Sequence, residues 1–287
     1  MTVRKATKSR GAASSPAMSA VPPSHVPPLR EHHDDGVAIL TLDRPAQRNS
    51  LSEGLIVALR QAIDRLSADA AVKVVIIAST GPAFSAGHDL KELTARRSDA
   101  DGGRAYYAHM MEICAAMMLA IVRSPKPFIA AVEGVATAAG CQLVATCDLA
   151  VAGAAAKFAT PGVNIGLFCS TPMVALSRNV PRKRAMEMLL LGEMLPAGEA
   201  AAYGLVNRVV PEGEALTAAR AMARQIAAKS PATIAVGKET FYRQLEAPLA
   251  GAYAEAARVM VENMMFADAQ EGIGAFIEKR EPAWRGC

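Results

Sequence analysis

Gly134-Val135-Ala136-Thr137-Ala138-Ala139-Gly140-Cys141-Gln142, read together with the apolar run at residues 128–132 before it, is the stretch that decides the fold. The same design occurs about fifty positions upstream, where the β-branched run at residues 72–78 leads into Phe84-Ser85-Ala86-Gly87-His88-Asp89-Leu90. A short apolar strand, a small-residue turn and then a helical pattern, repeated, belong to the α/β class. Turns this small let a ligand approach the main chain closely, and two N–H groups aimed at one carbonyl oxygen stabilise negative charge developing on it.

Outward from these turns the elements follow in order. Residues 37–42 alternate in strand fashion and stop at Asp43-Arg44-Pro45; Ser52 is placed to cap a helix whose Leu55, Ile56, Leu59 and Ile63 form one stripe. The run at 72–78 suits a strand covered on both faces, so strand, helix and strand make a crossover unit. Residues 95–103, polar and ending in Gly102-Gly103, read as a mobile loop between two helices. Residues 104–123 are helical and Met-rich, Pro125 and Pro127 close them, and 149–152 are strand-like. From Thr171 onward nearly everything reads as helix, with turns at Gly192, Pro196, Gly204, Pro211 and Pro231. The resulting division is a disordered N-terminal arm at 1–31, a core at 32–230 and a helical C-terminal region at 231–287. The last carries an apolar stripe of Val259, Met260, Met264 and Phe266 that calls for the core or a second subunit as cover.

Composition narrows the partners. Residues 1–30 hold five basic side chains and no acid, while the other 257 residues hold 26 basic and 27 acidic ones, so the net charge of +4 comes from the arm and offers no basic stripe for nucleic acid. Charged residues interrupt every apolar run before it reaches the roughly 20 residues of a membrane span, and no membrane partner is expected. The arm lacks an apolar signal core, and Pro22, Pro23, Pro27 and Pro28 break the amphipathic helix of an organelle presequence, which leaves a cytoplasmic location as the expectation. Five cysteines without C-x-x-C spacing indicate neither a disulfide framework nor a zinc site, and His32, His33 and His109 make no metal-ligand spacing, so no metal is expected. No Walker loop or G-x-G-x-x-G turn is present.

Several spaced motifs then carry a resemblance. Arg44-Pro45 through Asn49-Ser50-Leu51, Ala86-Gly87-His88-Asp89, Gly140-Cys141-Gln142-Leu143, Cys147-Asp148 and Glu271-Gly272 through Phe276-Ile277-Glu278-Lys279-Arg280 stand in the order found in the crotonase, or enoyl-CoA hydratase/isomerase, superfamily. Over residues 36–283 the chain resembles that family. The resemblance implies a spiral of ββα units, a helical C-terminal region that builds homo-trimers or hexamers, and an acyl-CoA thioester as substrate, with coenzyme A part of the substrate and no tightly bound cofactor. It implies that the N–H groups of His88 and Ala139 form an oxyanion hole, and that Arg48, Ala86, Gly87, Asp89, Leu90, Gly140, Phe276 and Lys279 contact the coenzyme, Lys279 from a neighbouring subunit.

The chain also departs from that pattern. Hydratases of the family use two glutamates to deliver water, and those positions are Gln142 and Gly162 here; the aspartate of dienoyl isomerases falls at about Ser170. A missing acid or base costs about 10²- to 10⁴-fold in rate, so efficient hydration is not expected. Gly87-His88-Asp89 and Thr160-Pro161 resemble the methylmalonyl-CoA decarboxylase branch, whose reaction generates an enolate without a base. His88 either moves a proton or fills space, and Gln142 either holds water or the acyl group or is a satisfied buried amide. Asp89 reads as a helix cap, Asp148 as structural, and Ser170 lacks a nucleophile elbow. Three functions follow: an enolate-stabilising acyl-CoA enzyme of fatty acyl metabolism, a malonyl- or methylmalonyl-CoA-type decarboxylase, and a non-catalytic acyl-CoA-binding protein.

Overall fold

In the computed structural model, which describes residues 28–287, the chain opens with a hairpin of strands β1 (Leu29–Asp34) and β2 (Val37–Leu42). β1 begins inside the segment that composition assigns to a disordered arm. Leu29, Arg30 and Glu31 pair with Leu42, Thr41 and Leu40, and Arg30–Asp43 and Arg65–Glu31 hydrogen bonds of 2.8 and 2.9 Å hold the strand, so the ordered core starts earlier than residue 32. The rest of the expected arm lies outside the described residues.

Helix α1 (Glu53–Ala68) starts as read, with Ser52 Oγ accepting the Leu55 N–H. Three strand pairs then alternate with helices: β3 (Val74–Ser79) and β4 (Ala83–Ser85) before α2 (Leu90–Ala95) and α3 (Arg104–Arg123); β5 (Phe128–Val132) and β6 (Val135–Thr137) before α4 (Ala139–Thr146); β7 (Leu149–Gly153) and β8 (Lys157–Ala159) before α5 (Pro172–Asn179) and α6 (Arg182–Leu191). The first strand of each pair joins one sheet, of order β1-β2-β3-β5-β7-β10, and the second joins a smaller one, β4-β6-β8-β9. That alternation is the ββα spiral. The loop at 95–103 contains one short 3-10 turn, Arg96–Ser98, on the surface.

Later come β9 (Leu195–Pro196), α7 (Ala197–Ala202), β10 (Arg208–Val210) and helices α8 (Ala215–Ala227), α9 (Pro231–Leu245), α10 (Leu249–Met264) and α11 (Ala267–Glu278). The two short strands fall in a region expected to be helical; three residues carry no periodicity to read, and β10 exists because its register against β7 completes the large sheet. Pro231 opens a helix behind the Ser230 cap rather than making a turn.

The β-branched run is covered on both faces, as its composition requires. Val75 and Ile77 join Leu40, Leu42 and the α1 and α3 side chains, while Val74, Ile76 and Ala78 meet Ala215, Ala219, Met222 and Ala223 of α8. Helix α3 departs from the reading that charged residues break every apolar run short of a span: an 18-residue window within Arg104–Arg123 has a mean hydropathy of 1.5. The composition is explained by packing, since Met110, Cys114, Met117, Met118 and Ile121 are buried against α1 and the core.

Helix α9 is fastened to the core by a buried cluster. Lys238 Nζ donates to Asp148 Oδ2 at 2.7 Å and to the carbonyls of Ile121 and Lys126 at 2.9 and 2.8 Å, while Tyr242 and the Phe128 N–H donate to the same carboxylate. Asp148 is structural, as read.

Candidate active site

β4, β6 and β8 run parallel, so the residues that follow them emerge side by side at one end of the small sheet. Ligands of open α/β sheets bind at such carboxyl ends. After β4 come Ala86, Gly87 and His88; after β6 come Ala138 and Ala139; after β8 come Thr160 and Gly162.

The two proposed donors are both free. The Leu51 N–H donates to Gly87 O at 2.8 Å and the Asp89 N–H to Leu51 O at 3.3 Å, so the peptide groups flanking His88 face Leu51. Alternation along an extended strand turns the His88 N–H the other way, where no acceptor among the described residues takes it. Ala138 donates to Ala159 O at 2.9 Å and its own carbonyl accepts the Gln142 N–H at 3.0 Å, which leaves the Ala139 N–H at the first position of α4 without a partner.

The turns abut. A Cβ built on Gly87, whose φ is 88°, stands 2.8 Å from Ala138 Cβ and 3.2 Å from the Ala139 nitrogen, so any side chain at 87 would intrude between the donors. Ala138 holds φ 49° and ψ −120°, a conformation that costs an L residue of order 1–3 kcal/mol. That strain sits directly before the Ala139 donor.

His88 is half-buried, and burial holds its imidazole below the ordinary value. The ring is therefore neutral near pH 7. Its Nε2, Gln142 Oε1 and Thr160 Oγ1 are shielded from solvent and have no hydrogen-bond partner among the described residues. The Gln142 amide oxygen is thus left without a protein partner among the described residues.

Gly162 has no room for a glutamate. Its built Cβ meets Cys169 Sγ and Leu167 O, each at 2.9 Å, and its N–H donates to that sulfur at 3.3 Å. Burial pushes the Cys141 thiol up to about 12 and raises that of Cys169 as well. Both are protonated, and neither is a thiolate nucleophile.

Other expected residues have different duties. Gly140 has a packing duty: its built Cβ would stand 2.3 Å from Ser85 O, so glycine is what lets α4 lie on β4. Asp89 is committed to structure, since it caps α2 through the Lys91 N–H and accepts the Ser50 hydroxyl at 2.9 Å. Burial raises its pKa, but those hydrogen bonds, the Glu92 N–H and the charge of Arg44 outweigh burial and hold the carboxyl below its usual range. Arg48 and Ala86 are exposed and joined by an Ala86 N–H to Arg48 O bond of 3.0 Å; Leu90, also exposed, opens α2. Phe276 and Lys279 lie exposed at the end of α11, which packs on α9 and α10, so one chain does not bring them to the donor turns.

Sequence reasoning missed Thr160, whose Thr-Pro context it noted without weighing the hydroxyl, and the frame behind the first turn. There Asn49 Nδ2 donates to the carbonyls of Thr80 and Ala83 at 2.8 and 2.7 Å, and Arg44 donates to Ser52 Oγ at 2.6 Å. The Arg-Pro to Asn-Ser motif carried that signal.

Comparison with known proteins agrees with this architecture. The family model for enoyl-CoA hydratase/isomerase matches residues 32–287. The mitochondrial enoyl-CoA hydratase domain-containing protein 3 of Rattus norvegicus is 49% identical over 250 residues, covering 87% of this chain and 82% of its own length. A crystal structure of an enoyl-CoA hydratase from Mycobacterium smegmatis superposes with a TM-score of 0.86 at 51% identity, covering 90% of this chain and 99% of that one. The human enoyl-CoA hydratase domain-containing protein 3 gives 0.85 at 47%, covering 90% and 100%. The fold is the crotonase fold. The cytoplasmic expectation is corrected by these relatives, since the rat, mouse, human and Xenopus laevis proteins are named mitochondrial; of the prolines on which it leaned, Pro22, Pro23 and Pro27 lie outside the described residues. From residue 32 to residue 287 the chain belongs to the enoyl-CoA hydratase/isomerase family.

Proposed function

We propose that this protein binds an acyl-CoA thioester and stabilises its enolate between the main-chain N–H groups of His88 and Ala139. The observation that carries the reading is the pair of unpaired amides on abutting turns. The N-terminus of α4 adds its dipole to the same oxygen. Coenzyme A enters as part of the substrate, with Ala86, Gly87 and Leu90 beside its path, in fatty acyl metabolism.

Water delivery by two carboxylates is not the chemistry proposed. Gln142 has no ionisable proton near neutral pH, and the space beyond Gly162 is taken by Cys169. Crotonyl-CoA hydration is therefore expected to run about 10²- to 10⁴-fold below a two-glutamate hydratase.

A second reading, decarboxylation of a malonyl- or methylmalonyl-type thioester, is favoured by the same lack of a carboxylate at 142, 162 and 170. Loss of CO₂ leaves the electron pair on the α-carbon as the enolate, and a proton then adds there; the hole suffices for the first step. Incubation with malonyl-CoA, crotonyl-CoA and a saturated thioester, with CO₂ release and absorbance followed, separates the readings. Turnover of none with tight coenzyme binding supports a binding protein, and absence of thioester binding removes the proposal.

Exposed Phe241, Leu249, Tyr253, Met265 and Phe276 on the C-terminal helices support a proposed assembly as a homo-trimer or hexamer, in which Phe276 and Lys279 would serve the site of a neighbouring copy.

A further inference from the structure

We propose that Glu271 and Arg280 are positioning residues that hold the strained turn at Lys279, so that its ammonium is presented to the phosphates of a coenzyme bound by a neighbouring copy. This rests on the acyl-CoA reading with assembly into a trimer or hexamer, and deepens it.

Helix α11 ends on Lys279, whose φ of 57° and ψ of 40° lie in the left-handed region. Glycine is the usual residue at such a helix end, because a Cβ there is crowded by the following carbonyl. A lysine in that conformation costs stability, and strain of this kind persists where the surroundings over-determine it. Here both sides do so. The Lys279 N–H donates to Phe276 O at 3.3 Å and the Arg280 N–H to Ala275 O at 3.0 Å. The Arg280 fork then donates to the two Glu271 oxygens at 2.6 and 2.9 Å and its Nε to Glu278 at 2.6 Å, while the Ala283 N–H donates to Glu271 at 2.9 Å. A lone exposed ion pair orders little, whereas a two-pronged fork shared between carboxylates fixes geometry. Arg280 and the Ala283 N–H hold the Glu271 carboxyl down at about 2, so it stays charged across the neutral range. Farther along, Trp284 Nε1 donates to Ala228 O at 2.8 Å, and the buried Asp268 carboxylate accepts the Arg285 and Gly286 N–H groups at 2.6 and 3.0 Å. The main chain is pinned before and after Lys279.

Its side chain is not. Glu271 and Glu278 are both taken by Arg280, and among the described residues no carboxylate pairs with the exposed Lys279 ammonium. Phe276 and Ile277 beside it are 85% and 72% exposed, so this helix end offers an apolar face and an unpaired cation together. An adenine packs on the first and a phosphate pairs with the second. A cation at a helix end also gains from the helix dipole, a duty that needs no ligand and that the test separates.

The test is calorimetric titration of the full chain with butyryl-CoA and with butyryl-pantetheine, the same thioester without the nucleotide. The unaltered protein is expected to prefer butyryl-CoA, and Glu271→Gln to shrink that preference about three- to tenfold while leaving the affinity for butyryl-pantetheine as it was. Lys279→Gly should lose the same preference yet melt no lower than the unaltered protein, because it relieves the left-handed turn. A lysine kept only for the helix dipole would leave the preference intact. Sedimentation checks that Glu271→Gln retains the assembly of the unaltered chain; if it does not, Arg280→Lys, which keeps the charge but not the fork, decides in its place. No preference in the unaltered protein, an unchanged preference in the variants, or an equal loss of affinity for both thioesters overturns the positioning role and leaves the acyl-CoA reading standing. Failure of both thioesters to bind overturns the two together.

Discussion

Ala138, Ala139 and Gly140 show three different reasons for a small side chain in one tripeptide. Ala138 carries the strained turn, Ala139 supplies a donor, and Gly140 lets the helix touch a strand carbonyl. Ala139→Pro deletes the donor while placing a residue favoured at a helix's first position, and turnover should fall about 10²- to 10³-fold. Melting temperature is the control, and an undiminished rate in a folded variant removes the oxyanion assignment. Gly140→Ala forces a carbon against Ser85 O and should destabilise by about 1–3 kcal/mol or more, read by urea unfolding. His88 gives a pH dependence of known sign. Its folded pKa lies below the ordinary 6.5 because of burial, so between those values the unfolded chain binds the extra proton and stability is lost as pH falls. His88→Asn should flatten the decline in melting temperature just below pH 6.5; an identical decline in the variant would show that His88 does not cause it.

Helix α9 is held to the core by chemistry rather than by apolar area. Lys238 is its one buried side chain, and it reaches the Asp148 carboxylate and two main-chain carbonyls. Removing one partner strands the other, so Lys238→Met should cost about 3–5 kcal/mol, measured by chemical denaturation. A loss under 1 kcal/mol would mean that the helix is kept in place by other contacts. Elements with strong periodicity were legible: Ser52 and its stripe announced α1, and Pro125 bounded α3. β10 was not, because three residues gain strand identity only from the neighbour they pair with.

Over the whole molecule, apolar side chains remain uncovered on α5, α6 and the C-terminal helices, among them Val174, Leu190, Leu191, Leu249 and Met265. Single exposed apolar residues are ordinary, but a continuous set implies a partner surface. Sedimentation at micromolar concentration should return a trimer or hexamer, and Leu249→Glu with Met265→Glu should shift it toward monomer. A monomeric unaltered chain would refute the assembly and leave Phe276 and Lys279 without a role at the site.

The positions of the longer strand runs, the two small-residue turns about fifty residues apart and the absence of a carboxylate at 142 and 162 were determined by the sequence alone, because apolar runs, turns and residue identities are local properties. Which glycine serves ligand and which serves packing, why 162 cannot hold a carboxylate, and which polar atoms are left unpaired were decided only in three dimensions. Those are facts about neighbours: Ser85 O stands over Gly140, Cys169 Sγ over Gly162, and Thr160 comes to the donors only because β8 pairs in register with β6.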